Sequence, residues 1–568
     1  MVSILFYSFL SSFHIYICGY IFHYFFINRE FSLDKNFFEF AIYGAFVLSF
    51  ISLFLNFFLS LNKFVNTLIF ILPFIFFFIF FFNKNLIKKI LEYSIYVSVF
   101  FLLTISYDGT YRPDAGLYHL PYISILNENK IIIGLSNIHF RFGHVSILQY
   151  LSAIYNNFFF NEDGISVPSC IIFINIAGYI FFEVFNKKND YKIKVLSLIF
   201  LIFIFFRVNR YSDFGNDAIA NLLFFYLIIE SLKNNSHFLK IKKTVLISTF
   251  IFLNKITLLL GFLIPLFFIY KNFKLKNLLN RISIFSFIFL TIFFFKNILV
   301  SGCAIFPVEQ SCFKNLFWYD KDSQRNSNAA IAKIENEAWT KGWFNQQNEI
   351  KDFKEFSKNF NWLETWVNSD LKKIGKKLLP FLIFIFIILL ILKIFEVREK
   401  SNKTKINKIN NEYLIILFFS LIGSLLWFLK FPVFRYGYGY LISSFAIAIT
   451  INLTNYEFLK NQLRLKKIFS AIIILLFFGV MVKNSIRIYK GFVSNINLWP
   501  NIYSAGNVKI KQNHIPIIKN NKVIFYKSKD GECYYSKSPC TNYFNGNDFA
   551  LKDINLREKN KYKIFYFK

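Results

Sequence analysis

Titratable side chains of several types are concentrated in one stretch of this largely apolar chain. In chain order they are Asp108, Arg112, Asp114, Tyr118, His119, His139 and Arg141. A carboxylate at a membrane interface can act as a general base, and an arginine can bind phosphate through two parallel hydrogen bonds. The stretch is therefore a candidate catalytic loop. Any one of these residues could equally be the solvated end of a helix, and His139 could be a polar group flanking one.

Two later segments carry the same residue types. Asp213 and Asp217 lie between apolar runs in the segment Arg207–Asp217, and Arg435 lies in the turn Lys430–Tyr440. Together with the first loop, these segments predict a site that binds a lipid-linked phosphosugar and deprotonates a hydroxyl acceptor.

Lys255 stands near a break between two apolar runs. Its ammonium group could reach the membrane interface along its apolar stem, or it could be a functional charge within the membrane. The two runs on either side are short, so they form either two crossings or one broken hairpin. The sequence leaves both questions open.

Apolar helices must position these loops. Hydrophobic residues make up 55% of the 568 residues and charged residues only 17%, whereas soluble domains carry about 25% charged residues. Uncharged runs such as Val65–Phe82 approach the ~20 residues that cross a bilayer core. Backbone groups in lipid must be satisfied within their own segment, and the runs lack the alternation of a barrel strand. We therefore predict an all-α polytopic membrane protein with about fourteen transmembrane helices.

The predicted organisation has six parts. They are a four-span segment 1–106, a first outer loop with surface helices 107–164, central spans 165–300, an outer loop 301–376, C-terminal spans 377–483, and a small mixed outer tail 484–568. We expect the helix around Val145–Phe159 to lie along the membrane surface.

Short loops rich in Lys and Arg fall on one side of the predicted spans. They are Asn83–Lys89, Lys187–Lys194, Lys240–Lys243, Lys271–Arg281, Arg398–Lys408 and Lys460–Lys467. This side is predicted to be the cytoplasm, so the candidate loops and the tail face outside. The excess of Lys and Arg in these loops, together with their attraction to anionic lipid, also explains the net charge of +32. No nucleic-acid partner is predicted, because the chain carries no recognisable nucleic-acid-binding module.

Four of the six cysteines form two close pairs in the segments predicted to face outside. Cys303 pairs with Cys312, and Cys533 pairs with Cys540. Disulfides persist in oxidising compartments such as the periplasm, so both pairs are candidate disulfides. The alternative interpretation is four ordinary thiols. Zinc is disfavoured, because no histidine stands at ligand spacing near either pair.

These motifs resemble the GT-C superfamily of membrane glycosyltransferases. The resemblance rests on the Asp-bearing loop after a span, the second acidic loop, the Pro-x-x-Arg-Tyr turn at Pro432–Tyr436, and the stretch Ser301–Pro307. More closely, the chain resembles an uncharacterised family of bacterial membrane proteins linked to surface-polysaccharide synthesis. The residues that carry this second resemblance are Pro113–Pro121 and Cys533–Thr541.

The resemblance implies roles for individual residues. Asp114 matches the superfamily's catalytic acidic residue, although Ala115 stands where many members have Glu. Asp213 or Asp217 matches the second acidic site, and Arg435 matches the arginine that holds the donor's lipid phosphate. A divalent metal is compatible with this chemistry, but no ligand set in the sequence defines one.

The implied reaction moves a sugar, with inversion, from a polyprenyl-phosphate donor to a hydroxyl group on a glycan or lipid acceptor. It would take place at the outer face of a bacterial inner membrane, in surface glycan assembly. Two alternatives stay open. One is a polymerase or ligase that joins lipid-linked glycans, and the other is a non-enzymatic flippase or assembly scaffold.

Overall fold

Helices form most of the chain, as the long apolar runs require. The computed structural model describes residues 2–28, 37–104, 114–207, 216–271, 279–323, 325–345, 352–398, 411–453, 462–493, 514–519, 521–528, 531–541 and 553–567. Asp108, Arg112 and Asp213 lie outside these residues.

The described helices are numbered in chain order. The first group is α1 Val2–Phe22, α2 Glu39–Asn56, α3 Lys63–Phe80, α4 Lys84–Thr104, α5 Leu120–Glu128 and α6 Ile147–Ala153. The second is α7 Val167–Phe185, α8 Tyr191–Arg207, α9 Asp217–Leu232, α10 His237–Asn254, α11 Leu263–Lys271 and α12 Arg281–Ser301. The third is α13 Ala329–Thr340, α14 Phe353–Ser357, α15 Leu363–Trp366, α16 Lys372–Arg398, α17 Asn411–Lys430, α18 Phe434–Leu453 and α19 Gln462–Val493.

Eight helical stretches among the described residues are long and apolar enough to cross a membrane. They are Leu5–Ile27, Glu39–Asn56, Lys63–Phe80, Asn161–Phe185, Arg281–Ser301, Leu363–Ile391, Asn411–Lys430 and Lys466–Ile486. The stretch Ile256–Lys271 is apolar but shorter. The other predicted spans coincide with helices α4, α8, α9, α10 and α18, which are outside this set. The predicted membrane-protein class is therefore supported, and the count of about fourteen crossings stays a prediction.

Two packing features place one end of α9, α10 and α18 side by side. Helix α9 packs against both α10 and α18. At Lys255 the backbone becomes extended, with φ −150° and ψ 106°, and the chain turns back through Ile256–Phe262 to pack α11 against α10. The break at Asn254–Lys255 is therefore real, and it leaves Lys255 at the same end as the start of α9.

The tail and the long loops pack on this end of the bundle, which we call the loop-bearing end. In the tail, β1 (His514–Lys519) pairs antiparallel with β2 (Lys522–Ser528), which pairs parallel with β3 (Cys540–Thr541). A second hairpin joins β4 (Ile554–Lys559) to β5 (Tyr562–Phe567). The β5 residue Ile564 bridges to Ile133 of the first loop. The predicted mixed tail is thus strand-rich where it is described.

Two expectations about individual helices differ from the structure. Helix α6 is only seven residues long, and all of Ile147–Ala153 is buried against neighbouring helices instead of lying along a surface. Its Gln149 side chain is turned inward, where it hydrogen-bonds His119. Helix α19 continues to Val493, beyond the predicted end of the last span, because no proline interrupts Val482–Val493.

A chain of buried ion pairs holds α2, α7, α9 and α10 together at the opposite end. The Lys243 Nζ lies 2.6 Å from Glu39 Oε1 and 2.9 Å from Glu230 Oε2. The Lys233 Nζ lies 2.8 Å from Glu230 Oε1 and 3.1 Å from Glu183 Oε1. Opposite charges alternate along the chain, so each ammonium group is balanced by two carboxylates.

Removing the central carboxylate should destabilise the bundle strongly. Glu230→Gln leaves Lys243 with Glu39 and Lys233 with Glu183. It removes the two charged contacts at the centre of the chain, and we expect the free energy of unfolding to fall by about 1.5–3 kcal/mol. Denaturant unfolding in detergent measures this. The control is Glu309→Gln, which removes an exposed pair with Lys314 and should leave the transition unchanged. Equal transitions for Glu230→Gln and wild type would contradict the structural role.

The disulfides provide a second test of the fold. Cys303–Cys312 and Cys533–Cys540 are bonded, whereas Cys18 and Cys170 are buried thiols. Peptide mass mapping without reductant should therefore find two linked peptide pairs, with Cys18 and Cys170 alkylated only after unfolding. Recovery of Cys533 or Cys540 as a free thiol from native protein would contradict this arrangement.

Candidate functional site

Three helix ends bring one acidic and two basic side chains together at the loop-bearing end. Asp217 is the first residue of α9, Lys255 directly follows α10, and Arg435 is the second residue of α18. Asn221 fixes α9 against α18, because its Nδ2 donates to the Arg435 carbonyl at 3.0 Å and its Oδ1 accepts from Gly439 N at 2.7 Å. The relative position of Asp217 and Arg435 is thus set by the backbone.

The first loop adds an aspartate and an arginine. Asp114 precedes a π-helical turn, Ala115–His119, that leads directly into α5. Arg141 lies in the 3₁₀ turn Phe140–His144, which His139 caps by accepting the Arg141 N–H on its Nδ1 at 3.1 Å. Short turns that end at a buried helix hold their side chains more firmly than a free loop would.

These residues form one ion-pair cluster, which we define as Asp114, Arg141, Asp217, Lys255 and Arg435. Arg435 bridges the two acids, with Nη1 2.9 Å from Asp114 Oδ2 and Nε 3.5 Å from Asp217 Oδ2. The Arg141 Nη1 lies 3.3 Å from Asp114 Oδ1, and the Lys255 Nζ lies 2.6 Å from Asp217 Oδ1. Every carboxylate oxygen of the cluster therefore faces a cation, and three cations oppose two acids.

Two tyrosines line the cations of the cluster. The Lys255 ammonium lies 3.7 Å from the centre of the Tyr436 ring, and Arg435 Nη2 donates to the Tyr436 hydroxyl at 3.3 Å. The Arg141 guanidinium lies 5.0 Å from the centre of the Tyr118 ring. Aromatic faces attract cations and replace part of their water, so they help to hold all three basic groups in place.

The cluster keeps Asp114 ionised. Burial by itself would raise the pKa of this carboxyl group, but the charges of Arg435 and Arg141 outweigh burial, and the pKa lies below its usual range. Asp114 is therefore a weak base while both arginines hold it. Arg435 is the most exposed member, with 44% of its side chain accessible, so an incoming anion can reach it.

His119 is neutral beside the cluster. Burial lowers its pKa to about 4, although the charges of Asp114 and Asp217 act in the opposite direction. The Gln149 side-chain amide hydrogen-bonds the imidazole, with 2.6 Å between Gln149 Nε2 and His119 Nδ1. His119 can therefore donate a hydrogen bond but does not add charge near neutral pH.

A helix of the 301–376 loop lies next to the cluster. Ala329 and Ala332 of α13 pack with Phe140 and Cys303, and Lys430 pairs with Glu337 at 3.4 Å. Helix α13 therefore connects the loop that carries Arg141 to the turn that precedes Arg435. Burial raises the pKa of Glu335 on this helix, and the nearby charge of Arg141 opposes that rise.

The structure brings together most of the described residues that the sequence singled out. Asp114, Asp217, Arg435 and Arg141 are in direct contact, and Tyr118 and His119 lie beside them. His139 instead caps a turn. Asp108, Arg112 and Asp213 lie outside the described residues.

Sequence reasoning left Lys255 undecided, included Tyr436 only as part of the turn Pro432–Tyr436, and passed over Gln149. The Lys255 ammonium group pairs with Asp217, so it belongs to the ion-pair cluster. Its side chain does not extend away from the cluster. The sequence feature that could have indicated this role of Lys255 is its position as an isolated basic residue between two apolar runs. Nothing in the sequence indicated that Gln149 would meet His119 from another helix.

Among the described residues, one group of potential metal ligands has its ligand atoms within 4.8 Å of one another. It consists of His514, Cys533 and Cys540. Both sulfur atoms belong to a disulfide, so they are not thiolate ligands in this state. The four oxygens of Asp114 and Asp217 would become available to a metal only if Arg435 and its neighbouring cations moved.

A separate cavity of about 290 Å³ lies between the turn after α2 and the tail hairpin. Its charged lining residues are Glu128, Lys130, Lys561 and Lys563. The cavity contains no residue of the ion-pair cluster, so it is a separate feature of the structure.

Comparison with known proteins gives a family but no characterised relative. Neither the curated proteins nor the solved structures contain a match to this chain. The model of a family described as a domain of unknown function, DUF8201, matches residues 1–442. This match covers Asp114, Arg141, Asp217, Lys255 and Arg435 and ends before the tail. The chain belongs to the DUF8201 family.

Proposed function

We propose that the protein is a membrane glycosyltransferase that moves a sugar from a polyprenyl-phosphate donor to a hydroxyl acceptor during surface glycan assembly. The observation that supports the proposal is the meeting of Asp114, Asp217 and Arg435, with Arg141 and Lys255, at one end of the bundle. Segments far apart in the sequence supply these residues, so local sequence does not explain their meeting.

The cationic part of the cluster suits a phosphate at the membrane surface. Arg435 offers a planar set of donors that matches phosphate oxygens, and it is the most exposed of the three cations. Lys255 and Arg141 stand on either side as further positive charges. Since the three cations exceed the two acids by one charge, the cluster attracts an anion.

The acidic part of the cluster suits proton removal once the donor is bound. A donor phosphate that draws Arg435 away would leave Asp114 with less positive charge around it and restore its basicity. Asp114 then takes the proton from the acceptor hydroxyl as that oxygen bonds to the anomeric carbon. The bond from this carbon to the phosphate oxygen breaks, the sugar inverts, and Arg435 and Lys255 stabilise the polyprenyl phosphate that leaves.

The proposed setting is the periplasmic face of a bacterial inner membrane. The loop-bearing end carries both disulfides, and oxidising compartments preserve such bonds. Of the basic segments predicted to be cytoplasmic, Lys240–Lys243 lies in the first turns of α10, at the opposite end of that helix from Lys255. The proposed partners are the lipid bilayer, the lipid-linked sugar and a glycan or lipid acceptor.

A flippase for lipid-linked sugars is the second candidate, because one observation favours it. Helices α9 and α10 carry ion pairs at both ends, Asp217 with Lys255 and Glu230 with Lys243. Such charges within a bundle can line a transport path. A flippase moves a labelled lipid-linked sugar across a vesicle membrane without forming a glycosidic bond, whereas a transferase forms the bond. A polymerase or ligase would use the same cluster and would release longer products.

The anion site can be tested without knowing the sugar. Protein in lipid nanodiscs should bind inorganic pyrophosphate, and Arg435→Ala should weaken binding at least about tenfold, because a charge-assisted hydrogen bond contributes about 1.5–3 kcal/mol. Calorimetric titration measures the affinity. Lys430→Ala, which removes a neighbouring basic residue paired with Glu337, is the matched control. Equal affinities for wild type and Arg435→Ala would overturn the phosphate site.

The base is tested by activity. Asp114→Asn should lower glycan product in a complementation assay by about a hundredfold or more, the usual range for a lost general base. The same variant should bind pyrophosphate more tightly than wild type, because Arg435 loses a competing carboxylate. Asp163→Asn, which changes a half-buried acid at the same end of the bundle, is the control for loss of an acid outside the cluster. Full product from folded Asp114→Asn would show that another group accepts the proton.

A further inference from the structure

The turn that follows Asp114 contains a carbonyl group that its own helix cannot satisfy. In the π turn Ala115–His119, Leu120 N donates to the Ala115 carbonyl. In the same pattern, with an offset of five residues from acceptor to donor, the Gly116 carbonyl would accept from the N–H of residue 121. Residue 121 is proline, which has no N–H. The Gly116 carbonyl is therefore left without a partner from its own segment, although buried backbone oxygens generally need one.

The C-terminal tail supplies the missing donors. Cys533 N and Tyr534 N both donate to the Gly116 carbonyl, at 3.0 and 2.9 Å. Tyr534 has φ +53°, a left-handed conformation that is uncommon outside glycine. Successive N–H groups in such a conformation form a concave nest for a negatively polarised oxygen. The unusual backbone of Tyr534 is thus explained by its contact with Gly116.

The loop that carries this nest is firmly fixed to the first loop. The disulfide Cys533–Cys540 closes it, and both cysteines are buried. Tyr535 Oη accepts from Asn156 Nδ2 at 2.6 Å and donates to Asn127 Oδ1 at 3.0 Å. Ser538 donates to Glu128 through its N–H at 3.0 Å and its hydroxyl at 2.9 Å. These contacts all reach either α5, which directly follows the turn, or the segment after α6.

We propose that the disulfide-closed tail loop 533–540 is a positioning element of the ion-pair cluster, acting through the Gly116 carbonyl to hold Asp114 against Arg435. Asp114 directly precedes the turn, so a change in the turn moves its carboxylate. The functional role of the tail loop rests on the phosphate site proposed above. The loop lies beyond residue 442, so the positioning element is outside the part of the chain that the family model matches.

Three variants in the same loop separate positioning from general packing. Tyr534→Pro removes one N–H and cannot adopt φ +53°. Tyr534→Gly keeps the N–H and adopts this φ without strain. Lys537→Ala changes an exposed side chain of the loop and is the control. Hydrogen exchange of the peptide covering 115–120 measures the turn directly and does not depend on any activity.

We expect exchange of residues 115–120 to be faster by about tenfold or more in Tyr534→Pro, since a lost buried hydrogen bond changes local stability by about 1–3 kcal/mol. Tyr534→Gly and Lys537→Ala should match wild type. Unchanged exchange in Tyr534→Pro would overturn the positioning role, whatever the result for pyrophosphate binding.

The link to the cluster is tested by a double-mutant cycle on pyrophosphate affinity. Tyr534→Pro should tighten binding in the same direction as Asp114→Asn, because a displaced carboxylate competes less for Arg435. The double variant should bind no more tightly than Asp114→Asn alone, since both changes act through one carboxylate. Weaker binding in Tyr534→Pro, or fully additive effects, would mean that the loop only stabilises the fold. Absence of Arg435-dependent binding in wild type would overturn the proposed function, while the exchange result would still decide the role of the loop.

Discussion

The arrangement at the loop-bearing end depends on one guanidinium group, that of Arg435, shared by two carboxylates. Its Nη1 and Nε reach Asp114 and Asp217, which belong to different parts of the chain. Without this cation, Asp114 would keep its ion pair with Arg141 and Asp217 its ion pair with Lys255, but the contacts that join the two pairs would be lost. The interaction therefore couples the first loop to α9 and α18. Arg435 is also the most exposed cation of the cluster.

Helices α9 and α10 are constrained by charge at both of their ends. Near their junction with the loops, Asp217 pairs with Lys255, and at the opposite end Glu230 pairs with Lys243. Apolar contacts between helices allow small sliding movements, whereas ion pairs at both ends define one register. A defined register is required if the ends of α9, α10 and α18 are to hold reacting groups within a few tenths of an ångström.

The sequence predicted the helical membrane class, both disulfides and several residues of the cluster. Hydrophobic run length and residue type are local properties, so they can be read without a structure. It did not indicate that Lys255 would neutralise Asp217 or that α6 would be buried, because both depend on which helices become neighbours. Nor could it reveal the contact of Tyr534 with Gly116. That contact joins residues more than four hundred positions apart and uses only backbone atoms, which leave no pattern in residue types.

The contact between the tail loop and Gly116 also sets an order of events during synthesis of the chain. The ribosome makes the turn more than four hundred residues before it makes residues 533–540. The Gly116 carbonyl therefore lacks these two donors while the helices between the turn and the tail loop are being made. Until the contact forms, the turn would hold Asp114 less firmly, so the ion-pair cluster would reach its final geometry only after the tail loop has folded onto the turn.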